Sequence, residues 1–436
     1  MALLRPIDNR HEFSVIEHKI IVYEHIVKQL KLFSMCGRLR PAVPGFRETG
    51  SLAAVCDAHI TFGSLINLPG LSVLLVVCYA ALGLQVAFLA IWLAVYAFWK
   101  EDTGAQVSLP VSVIVCARNE ESNLGVLLPL LMNQVHPEYE VIVVNDRSAD
   151  TSADLLKKLA AADARIRNVS IEEIPPGVNG KKWALTQGIA AARNEVILVT
   201  DADCRPGPAW ISMMASAFRE ETKIVLGYSP YLKTSGLLNT FIRFETLLTG
   251  IQYMGMARVG FPYMGVGRNL AYRKSFFQES NGFNGFMDVT GGDDDLWVNK
   301  NARGANTRVC RGTDALVWSV PKTTWRSFFQ QKLRHLSVGL RYRPFHKIVI
   351  GLFHASYVLS WVLPVFCALL LAASPFVLEL FFARIALLMA LVVVASVKLG
   401  DKFNPGPVIL LDFLYVFYYI STALRALFTR KVQWRN

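Results

Sequence analysis

The sequence predicts an α/β fold in which a mostly parallel sheet domain is inserted between transmembrane helices. Three observations predict it. Of the 436 residues, 53% are hydrophobic and only 18% are charged, whereas soluble domains carry about 25% charged residues. Long uncharged runs lie on both sides of a central segment. Inside that segment, short apolar runs alternate with helical patterns. The length favours two or three domains. The composition excludes disordered, collagen-like and small disulfide-rich chains and disfavours a purely soluble protein. Net charge is +12. Beside long apolar runs, that charge fits anionic lipid head groups better than nucleic acid.

Residues 1–68 hold helical spacing at Phe13, Ile16, Ile20, Val27 and Leu30. They lack a secretory-signal pattern, and no role is assigned to them. Leu71–Phe98 carries no charge and Lys100 follows. Because about 20 apolar residues span a bilayer, residues 69–100 are expected to be a transmembrane helix. Charge returns over 101–323. LPVSVIVCA, EVIVVNDR and EVILVTDAD read as strands. ESNLGVLLPLLMNQ, SADTSADLLKKLAAADA and KKWALTQGIAAAR read as the helices between them. That alternation implies right-handed βαβ units.

Residues 324–345 follow. Trp325, Phe328, Phe329, Leu333, Leu336 and Leu340 stand at helical spacing, with Arg326, Lys332, Arg334 and Arg341 along the same stretch. This is the pattern of an interfacial amphipathic helix. The earlier stretch GLLNTFIRFETLLTGIQYMGMA is also expected near the interface. Residues 346–436 are expected to hold C-terminal transmembrane helices, with candidate spans Ile348–Ala372, Phe376–Val397 and Val408–Leu427. Arg384 and Asp412 fall inside two of them and must face protein or an interface, since charge is costly in lipid. Four spans put the tail residues Arg425, Arg430, Lys431 and Arg435 opposite the central domain. That breaks the positive-inside expectation and points to one C-terminal segment being interfacial. The seven cysteines form no CxxC pair, so unpaired, mostly buried thiols in a reducing compartment are expected.

In parallel sheets of this kind, ligands bind beyond the carboxyl ends of the strands. Arg118-Asn119-Glu120, Asp146 and Asp201/Asp203 fall at those ends. Two carboxylates on a short bend can hold one divalent cation, Mg2+ or Mn2+, against a diphosphate. Asp146 is placed to bond a base or ribose. Gly180 and Lys181 open a helix whose N-terminus attracts anions. In Gly291-Gly292-Asp293-Asp294-Asp295-Leu296-Trp297, three adjacent acids repel one another, which suits a general base that deprotonates a hydroxyl. Each signal alone has a plainer reading: loop aspartates, a solvated lysine pair, a helix cap.

Together these segments resemble a family. VSVIVCARNEES, VIVVNDRSADTS, GKKWALTQGI, VTDADC, GRNLAYRK, FNGFMDVTGGDDDLW and QKLRH occur in the order expected of the membrane-integrated family 2 glycosyltransferases. The resemblance covers about residues 108–345. It implies a GT-A, Rossmann-like domain, a nucleotide-sugar donor, a divalent cation and inversion at the anomeric carbon. Carried over by residue, Asp146 contacts the nucleotide, Asp201 and Asp203 form the DxD that binds diphosphate and metal, and Lys181 is the basic residue of GK-x-x-AL. Glu120 joins the donor-binding set. Asp293, counted back from Leu296, matches the catalytic base. The usual Glu before it is Gly292 here, which keeps Asp294 as a second candidate. Gln331 and Arg334 match QxxRW, with His335 in place of the Trp. The resemblance implies sugar transfer to a lipid or glycan acceptor by an integral protein of the inner or plasma membrane. The catalytic domain would be cytosolic, with membrane lipids and no nucleic acid as partners. The alternatives are a processive polysaccharide synthase or another nucleotide-diphosphate-handling enzyme such as a nucleotidyltransferase.

Overall fold

The computed structural model describes residues 69–100, 108–371 and 375–428. The helical spacing noted within residues 1–68 lies outside them, as do Cys36 and Cys56. The first element is the long apolar helix α1 (Pro69–Ala97). The central domain then runs β1 (Val111–Ala117), α2 (Glu121–Met132), β2 (Tyr139–Asp146), α3 (Ser152–Ala162), β3 (Ile166–Ile171), α4 (Gly180–Ala191), β4 (Val196–Asp201) and β5 (Cys204–Pro206). It continues through α5 (Trp210–Ser216), β6 (Ile224–Leu226), α6 (Leu237–Arg258), β7 (Leu270–Arg273), α7 (Lys274–Glu279), α8 (Asp295–Asn301), β8 (Thr307–Val309) and β9 (Val317–Ser319). After it come α9 (Trp325–Gly339), α10 (Pro344–Leu371), α11 (Pro375–Leu399) and α12 (Val408–Phe428).

The main sheet has seven strands in the order β3-β2-β1-β4-β7-β6-β8, and β5 pairs with β9 in a second small sheet. β1 pairs in parallel with both β2 and β4, and β2 with β3. β7 runs antiparallel to β4 and β6. The sheet is therefore mostly parallel with one reversed strand. That reversal matters for the site. β7 begins where β4 ends, with Leu270 opposite Val199, so the loop entering β7 lies at the carboxyl edge. β1, β2 and β4 are near-continuous apolar runs because helices cover both faces. Val113, Val115, Val141 and Val143 face one core with Leu124, Leu127, Leu128 and Leu131 of α2. Ile114, Ile142 and Val144 face the other with Ala184, Leu185 and Ile189 of α4. α4 sits so close that a Cβ on Gly188 would stand 2.7 Å from Ile114 Cγ2 and 2.8 Å from Val144 Cγ2. Only glycine allows this approach, which carries the start of α4 to the carboxyl edge.

Four of the described helices are long and apolar enough to cross a membrane: Val73–Ala97, Pro344–Leu369, Pro375–Leu399 and Val408–Arg425. Arg384 and Asp412 do face protein. Both are fully buried, with Arg384 Nη2 2.9 Å from Asp412 Oδ1 and Nη1 paired to Oδ2. Trp361 Nε1 donates to the same carboxylate at 2.8 Å, and Tyr357 hydroxyl donates to it too. The described cysteines are all free; Cys78, Cys204, Cys310 and Cys367 are buried and Cys116 partly so.

Candidate active site

The carboxyl ends of β1, β2 and β4 are neighbours by register: Ala117 lies opposite Asn145, and Cys116 opposite Asp201. Asp146 closes β2 and is nearly buried. Arg147, at a left-handed φ of 54°, turns back so that its Nε meets Asp146 Oδ1 at 2.8 Å. α4 opens against this pair. A Cβ on Gly180 would stand 3.0 Å from Asp146 Oδ2, so glycine again permits the contact. A cavity of about 390 Å³ lies here, lined by Arg118, Asp146, Arg147, Asn179, Asp288 and Thr290 among others.

Asn179 caps α4 by accepting from the Lys182 backbone N–H, and the two lysines that follow diverge. Lys182 is fully buried. Its Nζ donates to Val289 O and to Gly291 O, which fixes the loop leading to the acidic turn. Burial lowers its pKa, against the pull of the nearby aspartates. Lys181 points into the cleft and bridges two carboxylates, with Nζ 2.9 Å from Asp201 Oδ1 and 3.0 Å from Asp293 Oδ2. Burial opposes its charge, but Asp201, Asp293 and Asp294 override that and hold its pKa well above the ordinary value.

The three adjacent acids take three different partners. Asp294 caps α8: its Oδ1 accepts from the Asp295 N–H and its Oδ2 from the Gly267 N–H, both at 2.7 Å. Asp295 accepts from the Tyr342 hydroxyl at 2.8 Å and from the Leu296 N–H at 2.7 Å. Asp293 alone points to Lys181. Burial would push Asp293 up, but Lys181 and Lys182 reverse this and hold it below the usual carboxylate range. Burial and Asp293 push Asp294 up. Gly292 has a φ of +81°, and a Cβ there would stand 3.0 Å from Leu296 Cβ and 3.3 Å from Val338 Cγ1 of α9. Glycine at this position therefore has a local cause.

Asp203 lies beyond the end of β4. Burial and then Asp201 raise its pKa, opposed by Arg268. Glu120 contributes to the same negative field. Its Oε2 accepts from Asn123 Nδ2 at 2.7 Å, so it sits on the Asp203 side, outside the lining of the Asp146 cavity. Arg268 comes from the loop entering β7, and its guanidinium lies 4.5 Å from the Tyr231 ring centroid. The Tyr231 hydroxyl accepts from Gln331 Nε2 at 3.3 Å, which joins α9 to the cleft. Thr324 caps α9 by accepting from the Ser327 N–H at 3.2 Å. Lys332 pairs with Glu245 of α6. His335 stands exposed on α9.

The structure thus gathers Lys181, Asp201, Asp203 and Asp293 at one edge, with Gln331 joined through Tyr231. Arg334 sits beside His335 on α9. Arg268 and the Lys182 prop were not singled out from sequence. The only signal for Arg268 is its position immediately before a strand that enters at the carboxyl edge. Among the described residues, no group of three or more His, Cys, Asp or Glu forms a metal cage. Asp201 and Asp203 offer two carboxylates of a hard oxygen donor set, which suits Mg2+ or Mn2+ when substrate oxygens and water complete it.

The profile of glycosyl transferase family 2 matches residues 112–279. That of glycosyl transferase family group 2 matches residues 196–420, more than half the chain. A probable glycosyltransferase, YdaM, of Bacillus subtilis is 27% identical over 243 residues, 54% of this chain and 56% of that protein. A β-monoglucosyldiacylglycerol synthase of Trichormus variabilis is 31% identical over 119 residues, 27% of this chain and 25% of that protein. The chain thus spans about half or less of the length of these relatives. The mannosyltransferase PcManGT of Pyrobaculum calidifontis, solved with GDP-Man and Mn2+, superposes with a TM-score of 0.53 at 18% identity, covering 83% of this chain and 99% of that one. This likeness supports the GT-A fold.

Proposed function

The chain belongs to glycosyl transferase family 2, and on that premise we propose that it moves a sugar from a nucleotide-sugar donor to a lipid or glycan acceptor, with inversion, at the cytosolic membrane face. The observation that carries this reading is Lys181 Nζ bridging Asp201 and Asp293 while Asp294 and Asp295 are occupied by the α8 backbone, Gly267 and Tyr342. One acid is left for chemistry. Asp293 takes the proton of the acceptor hydroxyl. The acceptor oxygen bonds to C1 of the sugar as the bond from C1 to the phosphate oxygen breaks. The electron pair leaves with the nucleoside diphosphate. Lys181 and Arg334 offset its charge, and the Asp146 cavity takes the base and ribose. A divalent cation on Asp201 and Asp203 would neutralise the diphosphate. Burial keeps the charges in a low-dielectric cleft, where they act more strongly than in water.

Two points favour a lipid acceptor. Apolar helices flank the domain, and a relative is by its printed name a synthase of a glycolipid, β-monoglucosyldiacylglycerol. The test incubates purified protein with membrane lipid extract, Mn2+ and a panel of radiolabelled nucleotide sugars. Label is expected in the organic phase with equimolar release of nucleoside diphosphate, and excess chelator is expected to abolish both. Full transfer in chelator would remove the metal role. Label only in a high-mass aqueous polymer would favour a processive synthase.

A further inference from the structure

We infer that α12 dips into the bilayer and returns rather than crossing it, which puts the carboxyl terminus on the same side as the catalytic domain. The two helices before it set the frame. α10 starts at the domain: the Arg343 N–H donates to Asn299 Oδ1 at 2.9 Å, and His346 Nδ1 lies 3.0 Å from Asn299 Nδ2. α11 ends at the domain. Asp401, just past it, accepts from Arg243 Nη2 at 2.9 Å and from the Tyr228 hydroxyl at 3.2 Å. Gly400 packs so tightly that a Cβ there would stand 2.7 Å from Thr313 N. α10 therefore leaves the domain and α11 comes back to it.

α12 begins at Val408. The seven residue steps from Asp401 reach at most about 25 Å when fully extended. The hydrocarbon core is about 30 Å thick. Phe403 uses part of that reach by packing on Phe244, ring centroids 6.1 Å apart. The start of α12 is thus on the domain side or within the bilayer, and cannot be on the far face.

The direction of α12 then follows from its neighbours on α10. Phe413 meets Trp361, Tyr415 meets Tyr357 and Tyr419 meets His354, with ring centroids 5.3, 5.1 and 4.4 Å apart. Rising numbers on α12 pair with falling numbers on α10, and falling numbers on α10 lead to the domain. Farther along, Tyr418 packs on Phe328 of α9 at 5.6 Å, and the Arg425 guanidinium lies 5.0 Å from the Phe329 ring centroid. The deep end is marked by Asp412. Its partner Arg384 stands fifteen residues before the end of α11, about 22 Å along a helix. Ile409, Phe413, Phe417, Ile420 and Leu424 form one exposed apolar stripe, so one face of α12 meets lipid along its length.

Three of the four apolar helices then cross. Arg425 then joins Arg341, Arg343 and Lys347 on one side, where anionic head groups attract them. The test places single cysteines at Lys157 in the domain, Ser374 between α10 and α11, and Asn436 (K157C, S374C, N436C). Each full-length variant is labelled in sealed vesicles with a membrane-impermeant maleimide, before and after detergent, against the wild-type background. Labelling of Asn436→Cys from the same side as Lys157→Cys, with Ser374→Cys protected until detergent is added, is the expected result. Labelling of Asn436→Cys together with Ser374→Cys from the opposite side would overturn the inference. Labelling of all three from one side would overturn it equally.

Discussion

Asp293, Asp294 and Asp295 are identical in chemistry and adjacent in sequence, and only their partners separate them. Sequence reading could place the base within one residue; the hydrogen bonds of Asp294 to two backbone N–H groups are tertiary facts. Asp294→Ala is expected to lower thermal stability by about 1 kcal/mol, the usual loss for a helix cap, with transfer retained; melting in detergent and a transfer assay check this. Gly292→Glu is expected to destabilise as well. A side chain at left-handed φ costs roughly 1–2 kcal/mol, and the new Cβ would press on Leu296 and Val338. Lys181→Met tests the pairing by pH. As the proposed base Asp293 must be ionised, and Lys181, ahead of Lys182, lowers its pKa against burial. Without Lys181 the pKa rises, so the acidic limb of the pH–rate profile should move to higher pH. An unmoved limb would show that Lys181 does not set the charge of Asp293. Arg268 and Arg273 look alike in GRNLAYRK, yet Arg273 donates to Thr222 O and Arg219 O, while Arg268 turns to Tyr231 and the cleft.

Among the elements, legibility tracked length and burial. β1, β2 and β4 are apolar runs with polar residues at or just after their ends, and α2 and α4 repeat apolar residues on one face; all are readable. β5, β6, β8 and β9 have three residues each, too few to show a period. The reversal of β7 is set by pairing, which leaves no trace in a four-residue strand. α6, expected near the interface, is buried on nearly every side because the sheet and the apolar helices α1, α11 and α12 all pack on it. Arg384 and Asp412 could be told to face protein, though not that they face each other. Removing one partner of a buried pair costs about 3–5 kcal/mol, while replacing both by apolar residues is often neutral. Arg384→Met alone should therefore lower the melting temperature markedly, and adding Asp412→Leu should recover part of it, since Tyr357 and Trp361 then lose their acceptor. A double variant no better than the single would refute the pairing as the source of the loss.

For the whole molecule, the sequence located the domain between apolar segments but left the tail in conflict with its charge. The conflict arose because hydropathy measures how apolar a helix is, not which way it runs; the ring pairs between α10 and α12 supply the direction. Membrane attachment is expected not to depend on residues 1–68. Deleting them should leave the protein in the membrane fraction after an alkaline wash, since α1 and the C-terminal helices remain; recovery in the supernatant would contradict the spans. The central claim is that Asp293 deprotonates the acceptor while Asp146, Lys181 and the DxD pair hold the donor. The most direct measurement compares Asp293→Asn with wild type, taking nucleotide affinity and transfer rate from the same preparation. The account predicts near-normal nucleotide binding with transfer reduced by about 10²–10⁴-fold, the usual share of a general base. Undiminished transfer by Asp293→Asn would contradict it.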